Sequence, residues 1–263
     1  MNETTVVIGL GEVGEPLLEL VERAGGSVFG VDVDPSALPK KMAIDVMHVC
    51  FPYQIGDFVG EVTRYSNLLE PALTIINSTV AVGTTRAVHA RTARPIAYSP
   101  VRGKHSRMLE ELTRYHKYVG GIDAAAAAAA GAHFERLGMS TRVVSTPETT
   151  ELAKLTETTY FAVLIAWAQE VERYCDLTGL DYDEIVSFYE EVSFFPPVKY
   201  VPGVIGGHCV MPNIELLERL VDSDLLRAIR ASNAEKKRRS PQEELDRPTS
   251  AASGTSAAEM PQA

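Results

Sequence analysis

The chain has 263 residues, a net charge of -10 at pH 7, 45% hydrophobic and 23% charged residues, a balance that suits one large or two small globular domains. An acidic chain gains nothing from counterion release on DNA or RNA, so no nucleic-acid partner is expected. No run approaches the ~20 apolar residues of a membrane span, and the opening MNETTVVIGLG lacks the basic start and cleavage site of a secretory signal. A cytoplasmic protein with no membrane partner is the expectation. Cys50, Cys175 and Cys209 are scattered, so they suggest neither a disulfide framework nor a metal site.

In chain order, TVVIG (5–9) reads as a strand that runs directly into Gly9-x-Gly11-x-x-Gly14 and a helix. The spacing has a mechanism. Gly9 permits a tight turn, Gly11 lets backbone approach a pyrophosphate, and Gly14 allows close helix–strand packing. Glu12 and Val13 complete the loop. The second strand, SVFGVD (27–32), ends in Asp32, a carboxylate placed to accept adenosine ribose hydroxyls and to repel a 2′-phosphate. NAD is therefore expected rather than NADP. A purely structural βαβ turn and a different adenosine ligand are the alternatives.

Further strands are read at DVMHVCF (45–51), LTIINST (73–79), PIAYS (95–99), KYVGG (117–121) and TRVVS (141–145). Most are apolar on both faces, as in a parallel sheet covered by helices on each side. Cys50 falls on the third strand, in the core beside the cofactor, and His48 on the same strand reads as a satisfied core histidine. DAAAAAAAGAHFERLG is a helix capped by Asp123. This alternation predicts an α/β fold with a doubly wound, Rossmann-type parallel sheet over residues 1–146.

From Pro147 the pattern changes. No helix breaker interrupts PETTELAKLTETTYFAVLIAWAQEVERYCDLTG until Gly179, which predicts a spine helix of about thirty residues, roughly 45 Å long. Its length and apolar flanks point to a homodimer through 148–178. Shorter helices around DYDEIVSFYEEV, NIELLERLV and DLLRAIRASNAEKK complete a small helical domain, 147–235, that carries the Cys209 loop. The stretch 236–263 is polar, Pro/Ser/Ala-rich and aromatic-free, and reads as a disordered tail.

GVIGGHCVMPNIELL (203–217) matches without a gap the catalytic segment GVGGHCIPVDPYYL of the UDP-glucose/GDP-mannose dehydrogenase family, which the chain resembles over roughly residues 5 to 233. INSTVAVGTTR (76–86) is similar to that family's STVPPGTT segment, whose threonine lies near cofactor and substrate and is Thr79 here. YSPVRG (98–103) resembles its SPE segment. ETTELAKLTETTYFAVLIAWAQEVERYC (148–175) resembles its central helix, and RAIRASN (227–233) the helix closing its second domain. No segment of the chain resembles its C-terminal nucleotide-sugar-binding domain.

The resemblance implies NAD-dependent oxidation of a CH–OH group on a sugar or nucleotide sugar. Cys209 would attack the aldehyde formed first, and Lys154 would support charge on the reacting oxygen. Both residue types suit those tasks: a thiolate is a strong carbonyl nucleophile and an ammonium offsets a developing oxyanion. Departures from the family fall where carboxylates manage water and protons. The SPE glutamate is Val101, the asparagine following the lysine is Thr158, and the aspartate following the cysteine is Asn213. Glu151, one turn before Lys154, either pairs with it or is solvated. Arg102 and His105 are candidate contacts for an anionic substrate. With those carboxylates changed, an NAD-using epimerase or lyase with transient oxidation, and a non-catalytic NAD-binding paralogue, stand as alternatives.

Overall fold

The computed structural model describes residues 3–32, 43–189, 192, 200–206 and 210–240. They form two compact units: one of residues up to 159 together with 212–221, the other of 160–211 together with residues from 222 onward.

The first unit is built on a seven-stranded sheet of order β2-β1-β3-β4-β5-β6-β7. Its strands are β1 (Thr4–Ile8), β2 (Ser27–Val31), β3 (Val46–Val49), β4 (Leu73–Ile76), β5 (Ile96–Tyr98), β6 (Lys117–Gly121) and β7 (Thr141–Val144). Each coincides with a β-branched or apolar run read from the sequence. The helices are α1 (Gly14–Arg23), α2 (Phe58–Leu69), α3 (Thr84–Thr92), α4 (Met108–Arg114) and α5 (Ala124–Arg136). Leu17, Leu20 and Val21 of α1, Met108 and Leu112 of α4 and Phe134 of α5 pack with Val46 and Ile75 on one face. Phe58, Val62 and Tyr65 of α2 and Val88 of α3 pack with Met47, Val49 and Ile76 on the other. Neighbouring residues of β3 thus serve opposite faces, as the period of two requires.

Pairing is parallel except between β5 and β6, which run antiparallel with Ala97 opposite Gly121 and Tyr98 opposite Gly120. The only α-helix between those strands is α4, of seven residues. It returns the chain to the end of the sheet at which β5 finished, so Lys117 at the start of β6 lies beside Ser99 and Pro100.

Asp123 caps α5 as read, accepting from the Ala126 amide at 2.8 Å. Ala126, Ala127, Ala130, His133 and Phe134 face the sheet, so the alanine run is a packed crossover helix.

Helix α6 (Pro147–Thr178) has 32 residues, begins at the proline and is followed by Gly179 with φ +71°. Its first turns belong to the first unit. There Glu151 is fully buried and accepts from the Gly83 amide at 2.6 Å, the Thr85 amide at 2.9 Å and the Thr85 hydroxyl at 2.7 Å. This carboxylate therefore caps α3, which has no side-chain cap of its own, and neither pairs with Lys154 nor faces solvent.

In the second unit, the remainder of α6 joins α7 (Tyr182–Ser187) and α9 (Asp224–Arg239). Val171, Cys175 and Val186 are buried together. The Asn233 side chain clamps both backbone groups of Ile205, accepting from its amide at 2.7 Å and donating to its carbonyl at 2.8 Å. Helix α9 continues through Arg239, beyond residue 235, where Lys236 reaches Glu172 at 2.8 Å and Arg239 reaches Asp176 at 3.0 Å. Cations in a last turn also suit the helix dipole. Residues 241–263, the remainder of the expected tail, lie outside the described residues. Among the described residues no helix is long and apolar enough to cross a membrane.

Glu151→Ala leaves two backbone donors at the α3 N-terminus without their acceptor and should cost about 2 kcal/mol in urea unfolding. Burial raises the Glu151 carboxyl above its usual range. The folded state then holds the proton more tightly than the unfolded state, so this group's contribution declines as pH climbs from the unfolded value through the folded one. Glu151→Gln should keep part of the cap and remove that decline.

Candidate functional site

The glycine loop sits where β2 and β3 leave opposite sides of β1, the switch point at which such sheets bind ligands. Gly9 has φ +92°, and a Cβ there would come within 2.7 Å of the Phe51 amide nitrogen. A Cβ on Gly14 would stand 1.8 Å from the Gly9 carbonyl oxygen, whereas one on Gly11 would meet nothing within 4 Å. Two glycines are thus demanded by packing, and the third borders open space. Val13, at the N-cap of α1, supplies no side-chain hydrogen bond, so no side-chain cap competes with an anion for the start of that helix. Glu12 is exposed. Asp32 follows β2 and is exposed, and its Oδ1 accepts from the Leu10 amide at 3.2 Å, which holds the carboxylate beside the loop.

Cys50 forms the floor: its Cβ is the side-chain atom nearest a Cβ on Gly14, at 3.4 Å. Burial pushes its thiol up to about 12, against the opposing effects of Lys117 and Asn77. It is a neutral packing group at physiological pH rather than a nucleophile. Thr79 lies half-buried just past β4, next to Ser78, whose hydroxyl donates to the Phe51 carbonyl at 2.7 Å.

A cleft of about 260 Å³ opens in the same unit, lined by Pro100, Arg102, Tyr118, Thr150, Lys154 and Glu157 among others. Lys154 donates to Glu157 at 3.4 Å, and its side chain is only 12% exposed. Arg102 lies 5.0 Å from the Tyr118 ring centre and 5.4 Å from that of Tyr115, and donates to the His116 carbonyl at 2.9 Å. Two cations therefore border one small cleft. Val101 is buried in the core cluster, away from any polar task. The His105 side chain lies outside the described residues.

Thr158, one turn after Lys154 on α6, accepts from the Asn213 amide at 2.8 Å. Asn213 is itself buried, on α8 (Val210–Glu218). Lys154, Thr158 and Asn213 are thus brought together, and the two replaced positions satisfy each other as neutral hydrogen-bond partners. Cys209 and His208 lie outside the described residues. Sequence reasoning missed Asn233, which holds Ile205 four positions before Cys209, and Lys117, whose buried ammonium lies behind the Pro100 wall of the cleft. The asparagine of RASN and the lysine opening a strand were visible, but nothing local pointed to their partners.

Residues 148–235 match the UDP-glucose/GDP-mannose dehydrogenase family, central domain. The UDP-N-acetyl-D-mannosamine dehydrogenase of Methanocaldococcus jannaschii is 26% identical over 277 aligned residues, covering 86% of this chain and 64% of that protein. This chain thus spans less than two thirds of that relative's length. UDP-D-ManNAc dehydrogenase from Pyrococcus horikoshii superposes with a TM-score of 0.76 at 21% identity, over 89% of this chain and 68% of that one. The 3-hydroxyisobutyrate dehydrogenase of Mycobacterium tuberculosis superposes with a TM-score of 0.69 at 19% identity, over 89% of this chain and 94% of that one. At these identities the superpositions establish a common fold. The chain is thus similar to the UDP-glucose/GDP-mannose dehydrogenases, in sequence to that family's central domain over 148–235 and in fold over 89% of its length.

Proposed function

We propose that this chain binds NAD and oxidises a CH–OH group of a nucleotide sugar, with Cys209 as nucleophile and Lys154 as the cation that offsets charge on the reacting oxygen. The observation that carries the reading is the glycine loop: closed by packing at Gly9 and Gly14, open at Gly11, with Asp32 held beside it. Those residues fit a dinucleotide, with the pyrophosphate on the α1 amides and the ribose hydroxyls on Asp32. Bound there, NAD supplies the hydride acceptor. The chain's own residues do the rest. Cys50 packs beneath the cofactor, Thr79 borders it, and Lys154 and Arg102 present positive charge to an anionic substrate. The names of the mannosamine dehydrogenase relatives support a UDP-sugar as substrate.

A second reading, arrest before carboxylate is released, either as a free carbonyl product after one hydride transfer or as a thioester on Cys209 after two, is favoured by Val101 and Asn213. One is core and the other is a neutral amide bonded to Thr158, so neither is a base for an attacking water. General-base assistance is worth roughly 10²–10⁴-fold, and its loss slows hydrolysis of any thioester on Cys209.

Titration with NAD(H) and NADP(H) tests the cofactor claim. NAD(H) should bind more tightly, and Asp32→Ala should narrow the gap. Gly11→Ala should keep the wild-type melting temperature and weaken NAD(H) binding ~10-fold, about 1.4 kcal/mol. Gly14→Ala should instead destabilise the fold by about 3 kcal/mol. Equal affinity for the two cofactors, or unchanged binding in Gly11→Ala, would contradict the assignment.

The chain is also proposed to dimerise through α6. Tyr160, Trp167 and Tyr174 recur every seven residues, each about half exposed, with Leu177 82% exposed beyond them. Beside them in the second unit, Val163, Ala166, Leu225, Ala228 and Ala231 line a groove of about 600 Å³ that Glu170, Arg173, Glu235 and Arg238 also border. Such a stripe needs a covering surface. Sedimentation at tens of micromolar should give a dimer, and Trp167→Glu a monomer. A wild-type monomer at that concentration refutes the proposal.

A further inference from the structure

Beneath the cleft runs a line of buried polar side chains with no part in the chemistry described so far. His48 on β3, Asn77 after β4, Ser99 after β5 and Lys117 on β6 share the sheet face covered by α5, which contributes His133 and Phe134. Lys117 Nζ donates to the Ser99 carbonyl at 2.8 Å, the Pro100 carbonyl at 3.1 Å and Asn77 Oδ1 at 3.5 Å. The Phe134 ring centre is 4.8 Å from the same nitrogen. Asn77 Nδ2 is 3.0 Å from His48 Nδ1 and donates to the Ile75 carbonyl at 3.2 Å. His48 Nε2 is 2.8 Å from His133 Nε2, and His133 Nδ1 is 2.9 Å from Glu3 Oε2. Glu3 precedes β1, at the opposite end of the strands from the cleft, and also holds Arg136 at 2.6 Å.

One proton arrangement satisfies every link. The Ile75 carbonyl fixes the Asn77 amide with its nitrogen toward His48, so His48 accepts on Nδ1. Burial above all, with the Lys117 ammonium adding to it, keeps His48 neutral. Its single proton is therefore on Nε2 and is donated to His133, whose Nδ1–H is donated to the Glu3 carboxylate. Each bond points the same way, from an ammonium to a carboxylate, an arrangement in which hydrogen bonds polarise one another.

We propose that Lys117 is a positioning residue for the cleft: tied through Asn77, His48 and His133 to Glu3, it grips the Ser99 and Pro100 carbonyls and fixes the wall that faces Lys154. The substrate role of that cleft rests on the function proposed above; the chain of hydrogen bonds does not. Burial lowers Lys117 to about 7, with Cys50 opposing the shift and Lys154 and Arg102 adding to it. As pH rises through that value Lys117 loses its charge, its donation to Asn77 and part of its hold on the turn.

Nitrogen-15 NMR of histidine-labelled protein should show the Nε2–H tautomer for His48 and the Nδ1–H tautomer for His133. Carbon-13 NMR of the lysine Cε should show Lys117 titrating near neutrality. Glu3→Gln, a conservative change at the far end of the strands, should move that midpoint downward, and His133→Gln should do the same. With NAD and UDP-N-acetyl-D-mannosamine, KM should rise through neutral pH in the wild type, and the rise should begin at lower pH in Glu3→Gln. Lys117→Arg should flatten it. The opposite tautomers, or a Lys117 midpoint unmoved in folded Glu3→Gln, would overturn the proposal. NADH formation absent in every protein while the NMR results hold would reject the nucleotide-sugar reading and leave the positioning chain standing.

Discussion

The buried carboxylate of Glu151 is the contact on which the arrangement of the site depends. It accepts three hydrogen bonds at the start of α3 and in doing so ties the first turns of a 32-residue helix to α3. Lys154 follows three residues later and Thr158 one turn after that, so the orientation of both is inherited from this cap. Arg86 reinforces it from the surface, reaching Glu148 at 2.6 Å. The positions of Lys154 and Thr158 are thus secured by a buried contact within the fold.

The site joins two kinds of constraint. Around the glycine loop the demands are steric: Gly14 cannot carry a Cβ against the Gly9 carbonyl, and Gly11 borders space. Around the cleft they are electrostatic. Lys154 and Arg102 border it, Lys117 lies behind its wall, and the carboxylate in direct contact with Lys154 is that of Glu157. Such a cleft favours an anionic ligand and disfavours accumulation of further cations. Lys117 is held by the Ser99 and Pro100 carbonyls, while burial, and then Lys154 and Arg102, work against its charge.

Much of this was legible in the sequence because the signals are local. The seven strands announce themselves as β-branched runs, the glycine loop by its spacing after a strand, and α6 by Pro147 and Gly179 at its ends. The direction of β6 was not legible, since alternation of apolar residues is the same in parallel and antiparallel strands. Glu151 was misjudged because its partner at Thr85 is 66 residues away, and a carboxylate one turn from a lysine looks like a helix-face pair. The line from Lys117 to Glu3 was equally hidden. His48 and His133 are 85 residues apart and His133 and Glu3 130 apart, so each reads alone as an ordinary core or surface residue.

The central proposal is that Cys209 acts as a nucleophile while Val101 and Asn213, standing where the family it resembles has carboxylates, supply no base. Intact-protein mass spectrometry after rapid quench, with NAD and UDP-N-acetyl-D-mannosamine, tests it most directly. The account predicts a substrate-derived mass on Cys209, absent in Cys209→Ser, with NADH limited to two for each Cys209 thioester and one for each free carbonyl product, and no sustained release of carboxylate. Steady release of two NADH for each free carboxylate, with no adduct on Cys209 at any time, would contradict it.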